Sequence, residues 1–453
     1  MIDYKISAHR PGRAYLLNLL LLLLLLAVVA CGGNPPDQNS VKPPASADAA
    51  MLDMLTNIQQ HGLNRAANQG KGGLWINWRY DSKPLQVNLN DTGDPDAPTM
   101  PVRHDLLTDL RYVHGLWLYK SLHPGEKRFD GEIKQYTTVL EQEQADIQNN
   151  ERGWLYDELI DIYNLSSEKF YLQMAHDLAF HFFTSLYHPE TGMIYSVDAH
   201  NPRGFYRVDL ALEAACALIQ ASAIFNLPQW KEAGQRVLQN LYATAYVRKY
   251  HVFLNVLNNV LLPDGKLNPN PGIFRGMMKT TNVEGGQVRM GAVAQVILSL
   301  LHVYDVTRDK TYLDRATDLL DPLRADPNTL GLWDTKQGGY FSAFIFPGPD
   351  MQHLGQPGVK QGMKEAGRQL QMLETFRVAN KFTNNRYQNM QDALLHIALD
   401  KAYYAPGHGV VYQMSPDWQI IVLKNGKRLD WVTTEAMGIA VESLGATLRS
   451  EPW

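Results

Sequence analysis

Six short polar stretches combine carboxylates with cations or indoles, and each precedes or opens an apolar run. They are Arg103-His104-Asp105, Trp154-Leu155-Tyr156-Asp157-Glu158, and Arg207-Val208-Asp209 with Glu213. Asn282-Val283-Glu284-Gly285-Gly286-Gln287-Val288-Arg289, Lys364-Glu365-Ala366-Gly367-Arg368 and Asp430-Trp431-Val432-Thr433-Thr434-Glu435 complete the set. Every stretch supplies a carboxylate, and Arg, Lys or Trp stands beside most of them. Cleaving a glycosidic bond needs two carboxyl groups, a protonated one to assist the leaving oxygen and an ionised nucleophile or base. The catalytic candidates on this chemistry are Asp157, Asp209, Glu284 and Glu435. Trp154, Trp431, Trp333 and Tyr340 are candidates for stacking on sugar rings. Arg103, Arg207 and Arg289 fit either of two roles, binding an acidic sugar or holding a catalytic carboxylate.

Each candidate also has a plain structural reading. Asp at a helix start is often only a cap, and that choice stays open for Asp105 and Asp209. Glu435 follows Thr433-Thr434 and fits the helix-start pattern in the same way. Asp157 and Glu158 are adjacent, about 100° apart on a helix, so at most one of them fully faces a cavity. Glu284 lies in a Gly-rich turn, where a cap is less natural.

The elements that would position these groups are helices. Apolar residues recur nearly all round the helix over 105–122, 154–165, 208–225, 288–304, 368–382 and 433–448, which marks six buried helices. Amphipathic helices lie between them, and the joints repeat. Tyr163-Asn-Leu-Ser-Ser-Glu-Lys-Phe-Tyr171 aligns position for position with Tyr304-Asp-Val-Thr-Arg-Asp-Lys-Thr-Tyr312, and Phe225-Asn-Leu-Pro-Gln-Trp230 and Phe382-Thr-Asn-Asn-Arg-Tyr387 are shorter versions. Each joins a buried helix to a half-buried one in a helical hairpin. In the first, Tyr171, Ala175, Leu178 and Phe182 form one stripe. The last buried helix lacks a partner after it, and the segment 47–67, with Met51, Met54, Leu55 and Ile58 on one face, supplies one. Pairing the two ends closes a ring of six hairpins, an all-α (α/α)6 toroid over 47–453.

With its Gly-Gly-aromatic turn Leu332-Trp333-Asp334-Thr-Lys-Gln-Gly338-Gly339-Tyr340-Phe341, this pattern resembles the six-hairpin glycosidase superfamily. The resemblance implies a carbohydrate substrate and a cavity at the N-terminal ends of the inner helices. The leading expectation is a glycoside hydrolase acting on a poly- or oligosaccharide. A sugar epimerase or polysaccharide lyase would instead lean on His104, His353 or Tyr340 as a base. A non-catalytic glycan- or protein-binding surface protein is the third reading.

The N-terminus reads as an address. Lys5, Arg10 and Arg13 precede an apolar run over 14–30 that ends Val28-Val29-Ala30-Cys31. A basic start, an apolar stretch and small residues before a cut site make a secretory signal, and about 17 apolar residues would also just span a bilayer. Val-Val-Ala-Cys resembles the bacterial lipobox, which implies cleavage after residue 30, lipidation of Cys31, a flexible tether over 31–46 and a site on the cell or outer membrane facing outward. The other cysteine, Cys216, sits in an apolar run and reads as a small core residue.

The chain has 453 residues, 45% hydrophobic and 19% charged, so it can bury a large core. Its net charge is −4 with no basic block, which argues against a nucleic-acid partner. Two cysteines exclude a disulfide framework and a Cys-based zinc site. Asn90, Asp91, Asp94 and Asp96 concentrate oxygen ligands that could hold Ca²⁺, but the closing Glu of an EF-hand loop is missing and a solvated loop is favoured. No phosphate loop or dinucleotide fingerprint occurs, so no cofactor is expected, and a monomer is.

Overall fold

An apolar helix can reverse into a second one only if the last carbonyls of the first are satisfied, and the repeated joints do this with a left-handed residue. Ser167 and Arg308, at equivalent positions of the two aligned joints, take φ of 61° and 57°. Their amides donate to Tyr163 O at 2.7 Å and Tyr304 O at 2.8 Å. Asn226 does the same after its helix at φ 56°. The computed structural model describes residues 43–62, 77–78, 106–195, 205–274, 277–278, 281–284, 286–359, 362–422, 426, 428–430 and 432–449. From Pro43 onward they belong to one unit.

Twelve helices form the two layers. They are α1 (Ala47–Asn57), α2 (Leu106–Leu122), α3 (Asp130–Gln142), α4 (Trp154–Ser166), α5 (Lys169–His181) and α6 (Val208–Phe225). Then come α7 (Pro228–Thr244), α8 (Met290–Thr307), α9 (Lys310–Leu320), α10 (Ala366–Phe382), α11 (Gln388–Ile397) and α12 (Thr434–Leu448). The even-numbered helices pack each on the next, and α12 packs on α2, so the inner ring closes. Each odd-numbered helix packs outside the inner helix before it, with α1 outside α12. The architecture is the expected (α/α)6 toroid.

Burial follows the sequence pattern. Tyr171, Ala175 and Leu178 on α5 and Phe182 just after it are fully buried, as are Met51, Met54 and Leu55 on the N-terminal helix and Ile58 just after it. That helix ends earlier than expected, at Asn57, and passes into a π turn, Ile58–Gly62. α6 and α8 are long and apolar enough to span a membrane, yet 83% and 56% of their apolar windows are buried inside the ring. Cys216 is buried on α6, and burial holds its thiol protonated.

Four inner helices are entered from a short strand, which periodicity did not reveal. Phe205–Arg207 pairs with Val256–Asn258, Gln287–Arg289 with Ala343–Ile345, Lys364–Glu365 with Gln413–Met414, and Val432–Thr433 with Asn77–Trp78. The last residue of each strand is the N-cap of the helix that follows. Arg207, Arg289, Glu365 and Thr433 therefore occupy one structural position around the ring.

Candidate active site

That shared position and the first turn after it build the mouth of the toroid. At α6, Arg207 leaves its strand and its guanidinium turns onto Asp209, with Nε donating at 2.9 Å and Nη2 at 2.7 Å. Arg207, not Asp209, occupies the N-cap position of α6, and the Asp209 carboxylate takes the two-pronged arginine contact together with a hydrogen bond from the Leu210 amide. Asn255 braces the pair. Its Nδ2 lies 3.4 Å from Asp209 Oδ2, its Oδ1 accepts from the Arg289 amide at 2.9 Å, and its own amide and carbonyl bond Gln287 O and Val208 N. One buried side chain thus ties the starts of α6 and α8 together.

Asp209 and Glu213 lie one turn apart on α6, in opposite states. Burial would raise the Asp209 carboxyl, but the charge and hydrogen bonds of Arg207 outweigh it and hold the group below the usual carboxylate range. Glu213 is buried, its Oε2 makes no hydrogen bond among the described residues, and burial together with the Asp209 charge pushes it up to about 8, against the opposing charges of Arg152 and Arg207. Gly153 sets this geometry, since a Cβ there would lie 2.2 Å from the Glu213 carbonyl carbon. The missing side chain lets the start of α4 press against α6.

The neighbouring part of the mouth is a cleft lined in part by Arg289, Glu365, Arg368, Tyr412 and Glu435. Strand alternation sends Lys364 and Glu365 to opposite sides. Lys364 points back into the fold, where Nζ donates to Asp334 Oδ2 at 2.8 Å, Gly338 O at 2.7 Å and Pro416 O at 2.6 Å. Glu365 points into the cleft, 3.8 Å from Arg289 Nη2 and 3.6 Å from Arg368 Nε. Arg368 reaches on to contact Glu435, so one guanidinium bridges two carboxylates from α10 and α12. Gly291 makes room for it, because a Cβ there would lie 2.5 Å from Arg368 Nε. Thr433, not Glu435, caps α12, through Thr433 Oγ1 and the Ala436 amide at 2.9 Å. Glu435 is left half-exposed in the cleft. Desolvation would raise it, but Arg368 first, then Arg111, Arg152 and Arg289, hold it ionised.

Asp157 does not reach the mouth. It turns into the axis of the ring, where Gln220 Nε2 and Ser299 Oγ donate to it at 2.8 and 2.7 Å and His302 Nδ1 lies 3.3 Å away. Burial would lower His302, but the Asp157 charge lifts it to about 9. The catalytic expectation for Asp157 is corrected accordingly, and Glu158 faces away from the mouth too. Arg207 holds the Asp209 carboxylate, and Arg289 faces Glu365 from the cleft wall. Trp154 stands at the start of α4 with the Arg111 guanidinium 4.1 Å over its ring, so one face is covered by protein.

Tyr340 is buried, and its hydroxyl donates to Leu323 O at 2.6 Å, so it neither stacks on a sugar nor serves as a base. Trp333 packs edge-on against Tyr340, 5.1 Å between centroids, within the same turn. His353 is exposed and pairs with Asp350 at 2.7 Å on a surface loop. Glu284 lies in a short strand, Thr281–Glu284, and its side chain is outside the description. Arg103, His104, Asp105, Trp431, Cys31 and the Ca²⁺ candidates Asn90, Asp91, Asp94 and Asp96 lie outside the described residues. Glu213, Glu365 and Arg368 were visible in the polar stretches, but nothing in the sequence ranked them above Asp157. Asn255 and Tyr412 carried no signal.

No protein-family model and no curated protein sequence matches the chain. Solved structures do. An unsaturated glucuronyl hydrolase specific for heparin is 15% identical, with a TM-score of 0.59 over 88% of this chain and 96% of its own. A glycoside hydrolase family 76 mannosidase from Bacteroides thetaiotaomicron is 11% identical, with a TM-score of 0.55 over 89% and 98%. A D-mannose isomerase is 10% identical, with a TM-score of 0.57 over 92% and 99%. The fold these structures share with the chain is the (α/α)6 toroid. At these identities the likeness is one of fold.

Proposed function

We propose that the protein is a glycoside hydrolase that cleaves a poly- or oligosaccharide at the toroid mouth. The observation that carries this reading is the contrast on α6, where Arg207 keeps Asp209 ionised while burial keeps Glu213 protonated. Two carboxyl groups in opposite states are what glycosidic cleavage needs. Glu213 donates its proton to the leaving oxygen, and Asp209 acts as the nucleophile or as the base that activates water. The adjoining cleft binds neighbouring sugar units, with Glu365 and Glu435 accepting from hydroxyls and Arg289 and Arg368 donating. Solved structures with this fold include hydrolases of saccharides, which supports the substrate class.

A reducing-end assay over a panel of neutral and acidic polysaccharides tests the reading. New reducing ends on one substrate, lost in Asp209→Asn and Glu213→Gln, support it. Binding without new ends points to the glycan-binding alternative. The Val28-Val29-Ala30-Cys31 motif further supports a lipid-anchored, extracytoplasmic enzyme. Cys31→Ala is expected to move the protein out of the membrane fraction, and an unchanged fractionation would contradict the anchor.

A further inference from the structure

Below the mouth, the axis of the ring holds titratable groups that the proposed hydrolysis does not use. Arg111 and His114 come from α2, Glu158 from α4 and Glu442 from α12, and all are buried. Arg111 Nη1 donates to Glu442 Oε2 at 3.1 Å, and its Nη2 lies 4.0 Å from Glu158 Oε1. His114 Nδ1 contacts Glu158 Oε2 and lies 3.9 Å from Glu442 Oε1. The imidazole nitrogen and one oxygen of each glutamate lie within 4.8 Å of one another. Three helices meet here, and α12 against α2 is the contact that closes the ring.

Charge balance decides what this cluster holds. Two ionised glutamates against one guanidinium leave a net charge of −1, and an uncompensated buried charge is costly. His114 does not supply the missing charge. Burial lowers it to about 4, helped by Arg111 and Arg449 and opposed by Glu442 and Glu374. A divalent cation would turn a deficit of one charge into an excess of one, whereas one proton brings the sum to zero. Glu374 on α10 and Asp157 on α4 add negative charge around Glu158 and raise it further. Arg377, also on α10, is engaged by Glu374.

We propose that Glu158 and Glu442 hold one proton between them, and that this proton latches the seam where α12 meets α2 and α4, so that the ring loosens at alkaline pH. The proposal does not depend on the hydrolase reading. Burial, the largest influence on both groups, raises Glu158 and Glu442 above the usual carboxylate range, and the hydrogen bond between them makes the pair titrate as one unit. In the unfolded chain both return to ordinary carboxylate behaviour, near 4.3. The stabilisation is thus fully present below about pH 4.3 and is lost as pH rises through the folded values of about 7 to 8.

The test is urea unfolding of the full chain from pH 5 to 9, for wild type and Glu442→Gln. Glutamine keeps the shape and the contact to Arg111 but carries no proton. One retained proton changes the unfolding constant by about tenfold per pH unit. The wild-type slope between pH 5 and 7 should exceed that of the variant by this amount. Glu158→Gln removes the same proton from the other partner and should give the same flattening. The infrared carbonyl band of protonated carboxyls in wild type should lose one component as pH passes 8. Identical slopes in wild type and both variants, or stoichiometric uptake of Zn²⁺ or Mn²⁺ that either substitution abolishes, would overturn the proposal.

Discussion

At the mouth, Asp209 receives both prongs of Arg207, and Glu435 is ringed by Arg368, Arg111, Arg152 and Arg289. In the axis, Glu158, Glu374 and Glu442 share far fewer cations, and burial pushes them up to about 7, 7 and 8. Residue type and fold are the same in both regions, and the supply of guanidinium groups differs. Glu213 stands one turn along α6 from Asp209, and burial pushes it up to about 8. Under the proposed hydrolase reading, acid–base chemistry sits where the two environments meet, not in either alone.

Substitutions at that boundary should have the largest effect. Asp209→Asn and Glu213→Gln should each lower turnover by about 10²- to 10⁴-fold, read as reducing ends per enzyme, with circular dichroism unchanged. Lys364→Met tests the scaffold behind the mouth instead. Lys364 is buried, and its loss strands the Asp334 carboxylate, so urea unfolding should show a cost of about 3–5 kcal/mol. A variant as stable as wild type would show that this ion pair does not hold Glu365 in place.

The pH profile sharpens the contrast further. If Glu213 is the proton donor, kcat/KM should fall about tenfold per pH unit above its folded value of about 8. The acidic limb should lie below the usual carboxylate range, because Asp209 must be ionised and Arg207 keeps it so. Residual activity in Glu213→Gln should lack the alkaline limb. Arg368→Gln should have the smallest effect, a rise in KM of about tenfold, or about 1.4 kcal/mol, with kcat nearly unchanged. A kcat loss as large as that of Asp209→Asn would move the chemistry to Glu365 and Glu435.

The fold was legible because buried helices leave an all-round apolar pattern and the joints repeat at Tyr163–Ser167 and Tyr304–Arg308. Inner-helix boundaries came out within three residues. The mouth was only half legible. Asp209 and Glu435 were singled out and lie there, while Asp157 was singled out and turns into the axis. Adjacent carboxylates on a buried helix look alike in sequence, and which face meets the cavity depends on how α4 packs against α6 and α8. The equivalence of Arg207, Arg289, Glu365 and Thr433 depends on strand pairs between distant segments, which two- or three-residue strands do not announce. Asn255 acts through four hydrogen bonds to other segments and has no local signature.

The most direct measurement is the reducing-end assay on wild type and Glu213→Gln, repeated from pH 6 to 9 on whichever polysaccharide the wild type cleaves. The account predicts that cleavage declines above about pH 8 in wild type, and that Glu213→Gln loses most of its activity together with that decline. Full turnover in Glu213→Gln, with the alkaline limb intact, would contradict it.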